Sequence, residues 1–147
     1  MKIIIHRSAA ILAALCIATF FISTIFVELV GSNESIAIVK RLILMPGLFI
    51  LIPCIAIAGG IGFSLSKGKN GVLITNKKKR MPFIAANGII VLIPSAIFLN
   101  HAAATADFNT IFYIVQSIEL CAGAINLFLI GLNMRDGFRM SGKIHSC

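Results

Sequence analysis

The chain has 147 residues, 59% of them hydrophobic and 12% charged, with a mean hydropathy of +1.01. Globular domains run about 25% charged, so this composition cannot cover the surface of a soluble fold. The net charge of +8 does not describe a nucleic-acid groove either, because the cations stand at the ends of apolar runs and do not interleave with aromatics, the pattern of membrane topology.

A short basic start with Lys2, His6 and Arg7 precedes an apolar run over 8–30. The hydrophobic part of a signal peptide is about 7–15 residues. This run is longer, and its exit, Glu28-Leu-Val-Gly-Ser-Asn, lacks a small-x-small cleavage site. It reads as a retained first span. A short polar connection with Asn33 and Glu34 leads to Lys40 and Arg41, which open a second span over 42–65. Pro46 and Pro53 lie seven residues apart, so kinks there would fall on a common face. Gly59, Gly60 and Gly62 strip side chains from one stretch and invite close helix packing.

Residues 66–81 form the one strongly polar stretch, expected as a basic loop with Lys77, Lys78, Lys79 and Arg80 at its end. Such a loop suits the cytoplasmic face and contact with anionic lipid headgroups. The third span covers 82–101, with Pro82 in its first turn, and 102–109 connects it to the fourth, 110–133. A tail over 134–147 follows, with Gly137 available as a helix stop. If the N-terminus, the 66–81 loop and the tail share one side, that side holds eleven of the thirteen cations. The positive-inside rule then puts both termini and the loop in the cytoplasm. The expected fold is an all-α, polytopic up-down bundle of four transmembrane helices, a single transmembrane domain over 1–147.

The fourth span carries the sharpest signal. Gln116, Glu119, Gly123, Asn126 and Asn133 recur at steps of three, four, three and seven, one face of a helix. Glu119 reads as lying near mid-membrane, where a carboxylate facing lipid is very unfavourable. The strip Gln116, Glu119 and Asn126 must therefore face other helices or a water-filled cavity, with Thr19 and Ser95 as expected neighbours of Glu119. No Lys or Arg is expected at that depth. A second group, Glu28, Arg41, His101 and Asp107, gathers at the outer face, with an expected Glu28–Arg41 ion pair. One histidine with scattered carboxylates is a weak metal signal. Cys16, Cys54, Cys121 and Cys147 form no CxxC pair, so neither zinc nor a disulfide relay is expected. His6 and His101 stand at opposite ends of their spans, which leaves no haem pair within the membrane. No metal, cofactor or catalytic residue is expected: nucleophile elbow, P-loop, zinc-protease and dinucleotide fingerprints are all missing from the sequence.

FVELVG at 26–31, RMPFIAANGIIVLIP at 80–94 and the GLNMRDG ending of the fourth span resemble a family of small four-span bacterial membrane proteins. The resemblance covers nearly the whole chain. It implies four spans and the bacterial inner membrane, and it brings no activity, cofactor or catalytic residue with it. Small multidrug exporters share the span count but keep their carboxylate in the first span, not the fourth. The expected function is that of a non-enzymatic subunit or accessory protein in a larger membrane assembly, paired with a second copy or another membrane protein. The alternative is a small proton-coupled transporter with Glu119 as its coupling carboxyl.

Overall fold

A computed structural model describes residues 1–67 and 71–140, the side chains of Ser66 and Met140 excepted. The expected tail beyond Met140, with Lys143, His145 and Cys147, lies outside the described residues, as do Gly68, Lys69 and Asn70 of the basic stretch. The described chain is helical with no strand, and four of its helices are long and apolar enough to cross a membrane: Lys2–Val30, Asn33–Leu65, Val72–Ala104 and Thr110–Arg139.

The first span is one helix, α1 (Lys2–Val30). It ends at Gly31, and Ser32 caps the next helix, α2 (Asn33–Leu42), by accepting from the Ser35 N–H. Glu34 in the first turn and Lys40 and Arg41 in the last complement the helix dipole. The second span therefore starts nine residues earlier than expected, at Asn33 and not at 42. Ile36, Lys40 and Ile43 are buried and sit at helical spacing, so Lys40 points into the bundle while Arg41 stays exposed.

The span is interrupted at Ile43–Leu48, where Met45 leaves helical geometry (φ −136°, ψ 111°) and the Met45–Pro46 peptide is cis. Proline has no N–H to donate, which removes a helical bond at this point. The chain resumes as α3 (Phe49–Ser66), which runs through Pro53. Of the two expected kinks, only the one at Pro46 breaks the span.

The third span is α4 (Val72–Asn87), a wider π turn at Gly88–Leu92, and α5 (Ile93–Ala104). The π turn lies just before Pro94, whose missing donor is accommodated by such local rewinding. Because α4 begins at Val72, the basic run Lys77–Arg80 expected in a loop is helical, and Pro82 lies well inside the helix. The last helix, α6 (Thr110–Met140), is opened by Asn109, whose side-chain oxygen accepts from the Phe112 N–H. It runs past 133 and through Gly137, which does not stop it.

The most extensive packing is between α1 and α3, with further contacts of α6 to α1, α4 and α5, and of α2 to α5. One apolar cluster joins Ala13 and Ile17 to Leu48, Leu51, Cys54 and Ala96; the other joins Val27 and Ile36 to Leu99, Ala102, Ala103 and Phe112. The alanines let backbones approach closely, the packing that replaces hydrophobic driving force inside lipid. Near the start of α1, His6 donates from Nδ1 to the Ala58 carbonyl at 2.9 Å, and its ring lies over Gly62, where a Cβ would come within 2.9 Å of it. Large side chains such as Phe26, Phe63, Ile90 and Phe128 face outward, as a lipid-facing surface requires.

Candidate functional site

The inner face of α6 is a row of buried polar groups: Gln116, Asn126, Asn133 and Asp136, with Glu119 13% exposed among them. Gln116 to Asp136 is 20 residues, about 30 Å of helix, close to the thickness of a hydrocarbon core. The row is enclosed by the chain's own helices.

Its first member is an ion pair. Lys40 Nζ on α2 donates to Glu119 Oε2 at 2.6 Å, and the Lys40 side chain is only 1% exposed. Gln116 Nε2 donates to the same oxygen at 3.3 Å. This overturns the expectation that Glu119 has no cationic partner. Glu119 also sits in the first third of a longer helix, off centre, where the inward face of α2 can reach it. The ammonium has three donors and no acceptor, so it can hold a carboxylate firmly at this short, charge-assisted distance.

Glu28, near the end of α1, lies within the electrostatic reach of both Lys40 and Glu119. Its Oε1 is buried without a hydrogen-bond partner, and so is Oε1 of Gln116. A cavity of about 60 Å³ beside Glu119 is lined by Phe20, Phe21, Thr24, Leu120 and Gly123 among others. The second cavity, about 190 Å³, lies between Thr19, Ser23 and Leu42. Neither reaches the ~300 Å³ at which small-molecule pockets begin. Ser95 is buried but makes no hydrogen bond to Glu119, and Thr19 uses its carbonyl to accept from Ser23.

About two turns further along, Asn87 Nδ2 on α4 donates to Asn126 Oδ1 at 2.9 Å and to the Ala122 carbonyl at 3.0 Å. Asn126 in turn donates to the Ile84 carbonyl at 3.4 Å. Asn133 Oδ1 is buried with no partner. At the far end Arg80 NH1 donates to Asp136 Oδ2 at 2.7 Å, with Arg135 3.7 Å from the other oxygen. Lys77 is partly buried near Asp136 and Arg7, while Lys78 and Lys79 are exposed. The basic run is thus split between an internal ion pair and an outward-facing edge.

The expected outer cluster does not assemble. Arg41 and His101 are exposed, Asp107 accepts only from Asn109, and no hydrogen bond or ion pair among the described residues joins them to Glu28. The expected Glu28–Arg41 pair fails because helical phase turns Arg41 outward and brings Lys40 toward Glu28. Among the described residues no three His, Cys, Asp or Glu side chains gather as a metal site, and Cys16, Cys54 and Cys121 are free.

Sequence reasoning placed Lys40 at the outer face and Asn87 and Asp136 at the cytoplasmic end, and joined none of them to the Glu119 strip. The signal for Lys40 was its spacing of four from Ile36 and three from Ile43. The signal for Asp136 was its step of three beyond Asn133.

Fold and site together define a helical membrane protein with an internal row of charged and amide groups. Comparison with protein-family models, with curated proteins and with solved structures finds no match. The reading of the site rests on its own chemistry.

Proposed function

We propose that this chain is a non-enzymatic protein of the bacterial inner membrane that carries protons through its bundle, as a small proton-coupled transporter, with Lys40, Glu119 and Glu28 as its charged centre. The observation that carries the reading is the Lys40–Glu119 pair inside a membrane-spanning bundle. Ionisable groups in spans are costly, and where they are kept they usually belong to an ion pathway. The polar row continues through Asn126 and Asn87 to Asp136, so amide and carboxylate groups reach from one end of the bundle to the other. The small cavities suit a proton better than a solute of drug size.

The test uses the purified protein in liposomes loaded with a pH-sensitive dye, with a potassium gradient and valinomycin imposing a potential. Proton uptake above that of empty liposomes is expected, and Glu119→Gln lowers it at least tenfold while the variant still extracts as a folded protein. Uptake equal to that of empty liposomes, or unchanged in Glu119→Gln, rejects the reading.

The orientation belongs to the same proposal: an up-down-up-down bundle with both termini and the Lys67–Val72 connection in the cytoplasm. It is supported by the cation count and by contacts that bring opposite ends of neighbouring spans together, His6 with Ala58 and Arg80 with Asp136. A green fluorescent protein fused to the C-terminus should fluoresce, and protease should cut the connection only in inside-out vesicles. Cleavage in intact spheroplasts would reverse the orientation. On that arrangement the exposed Lys78 and Lys79 meet anionic lipid headgroups.

The reading as a subunit of a larger assembly keeps one observation in its favour. Gly59 and Gly60 on α3 have open space where a Cβ would stand, and small residues of that kind let another membrane helix approach. Native mass spectrometry after gentle extraction separates the two: a stoichiometric second protein supports the subunit, whereas the chain alone or as a dimer removes that support.

A further inference from the structure

The charged centre holds two carboxyls and one ammonium, and they are not equivalent. Glu119 is committed, with Lys40 at 2.6 Å and Gln116 at 3.3 Å on one oxygen. Glu28 has a buried oxygen with no donor, although both charges lie within its reach. Among the described residues no further charge acts on it. Arg41 on α2 and His101 on α5 are exposed, and the buried faces of α5 and α6 around the centre supply Ser95, Leu99, Ala102 and Phe112. With all three groups ionised the centre would carry one unbalanced negative charge, placed in part on the buried, donorless Oε1 of the half-buried Glu28, which is expensive. A metal cation is a poor remedy, because the ammonium repels it and no set of three ligands gathers there. A proton has neither difficulty.

We infer that Glu28, not Glu119, is the group that carries the exchangeable proton at this centre, while Glu119 stays paired with Lys40. This rests on the proton-carrying reading of the site. Loading forms one O–H bond on the Glu28 carboxyl, with the proton taken from water at the near end of the bundle, and release returns the carboxylate; no electron moves. Placing the proton on Glu119 instead would take the charge from the carboxylate that the buried Lys40 ammonium touches. Gln116, only 4% exposed, supports the assignment independently. Its Nε2 is spent on Glu119, so its Oε1 is a second acceptor without a donor. A protonated Glu28 brings to the centre the donor that its unpartnered acceptors lack.

The test is infrared spectroscopy of the full chain in lipid vesicles at neutral pH, reading the C=O stretch of protonated carboxyl groups. One such band is expected to persist at neutral pH, to vanish completely in Glu28→Gln, to shift in Glu28→Asp and to stay in place in Glu119→Asp. The two aspartate variants keep the charge pattern, so they answer the question even if Glu28→Gln folds poorly. A band that shifts in Glu119→Asp, or no band in the unmodified protein, overturns the assignment. The two proposals fail separately. The expected band without proton uptake in liposomes leaves Glu28 as the protonated group and removes transport. Uptake with a band that follows Glu119 keeps transport and moves the proton.

Discussion

Lys40→Met is expected to destabilise the folded bundle by about 3–5 kcal/mol, the usual result of removing one partner from a buried ion pair. The ammonium is almost fully enclosed and, among the described residues, Glu119 has no second cation in contact, so the variant strands a carboxylate among Phe20, Phe21 and Leu120. Methionine matches the aliphatic stem of lysine, so little packing is lost and the effect isolates the charge. The double variant Lys40→Met with Glu119→Gln should regain most of the loss, since replacing both charges of a buried pair is often neutral or better. Unfolding in a titration of sodium dodecyl sulfate against mild detergent measures both. Additive losses in the double variant would falsify the ion pair as described.

Gly47→Ala should cost about 1–3 kcal/mol, the range for overpacking a filled interior. Gly47 is buried in the break between α2 and α3, and a Cβ there would lie 2.6 Å from Cζ of Phe20 and 2.9 Å from the Leu42 carbonyl oxygen. The phenyl ring can give way and the backbone carbonyl cannot. Phe20→Leu added to Gly47→Ala should therefore recover only part of the stability. A single variant within about 0.5 kcal/mol of the unmodified protein, the range of harmless surface changes, would show that the break repacks freely.

The four spans and the inward face of the last were legible because each rests on one strong signal. Apolar length marks a span, and the steps of three, four, three and seven through Gln116, Glu119, Gly123, Asn126 and Asn133 mark a face. The partners of that face were not legible from one helix alone. Lys40 stands beside Arg41, and two adjacent cations look like the mouth of a span. Their helical phase, which turns one inward and the other outward, shows only once the helix is known to start at Asn33. Asp136 was assigned to a tail because Gly137 resembles a stop, yet α6 continues to Met140. Asn87 has the right chemistry for Asn126, but the register of α4 against α6 is fixed by tertiary packing, which no periodicity contains.

The Lys40–Glu119 pair also has a temporal side. Its members are 79 residues apart in the chain, and α2 leaves the ribosome long before the fourth span exists. At ordinary synthesis rates the interval is on the order of 4–16 s. During that time Lys40 lacks the carboxylate it pairs with in the finished bundle, and is free to keep its ammonium in the headgroup layer on its long stem. The arrival of Glu119 gives that ammonium a reason to turn inward. Closure of the bundle around Lys40 is thus a late event in biogenesis, and the fourth span is what licenses it.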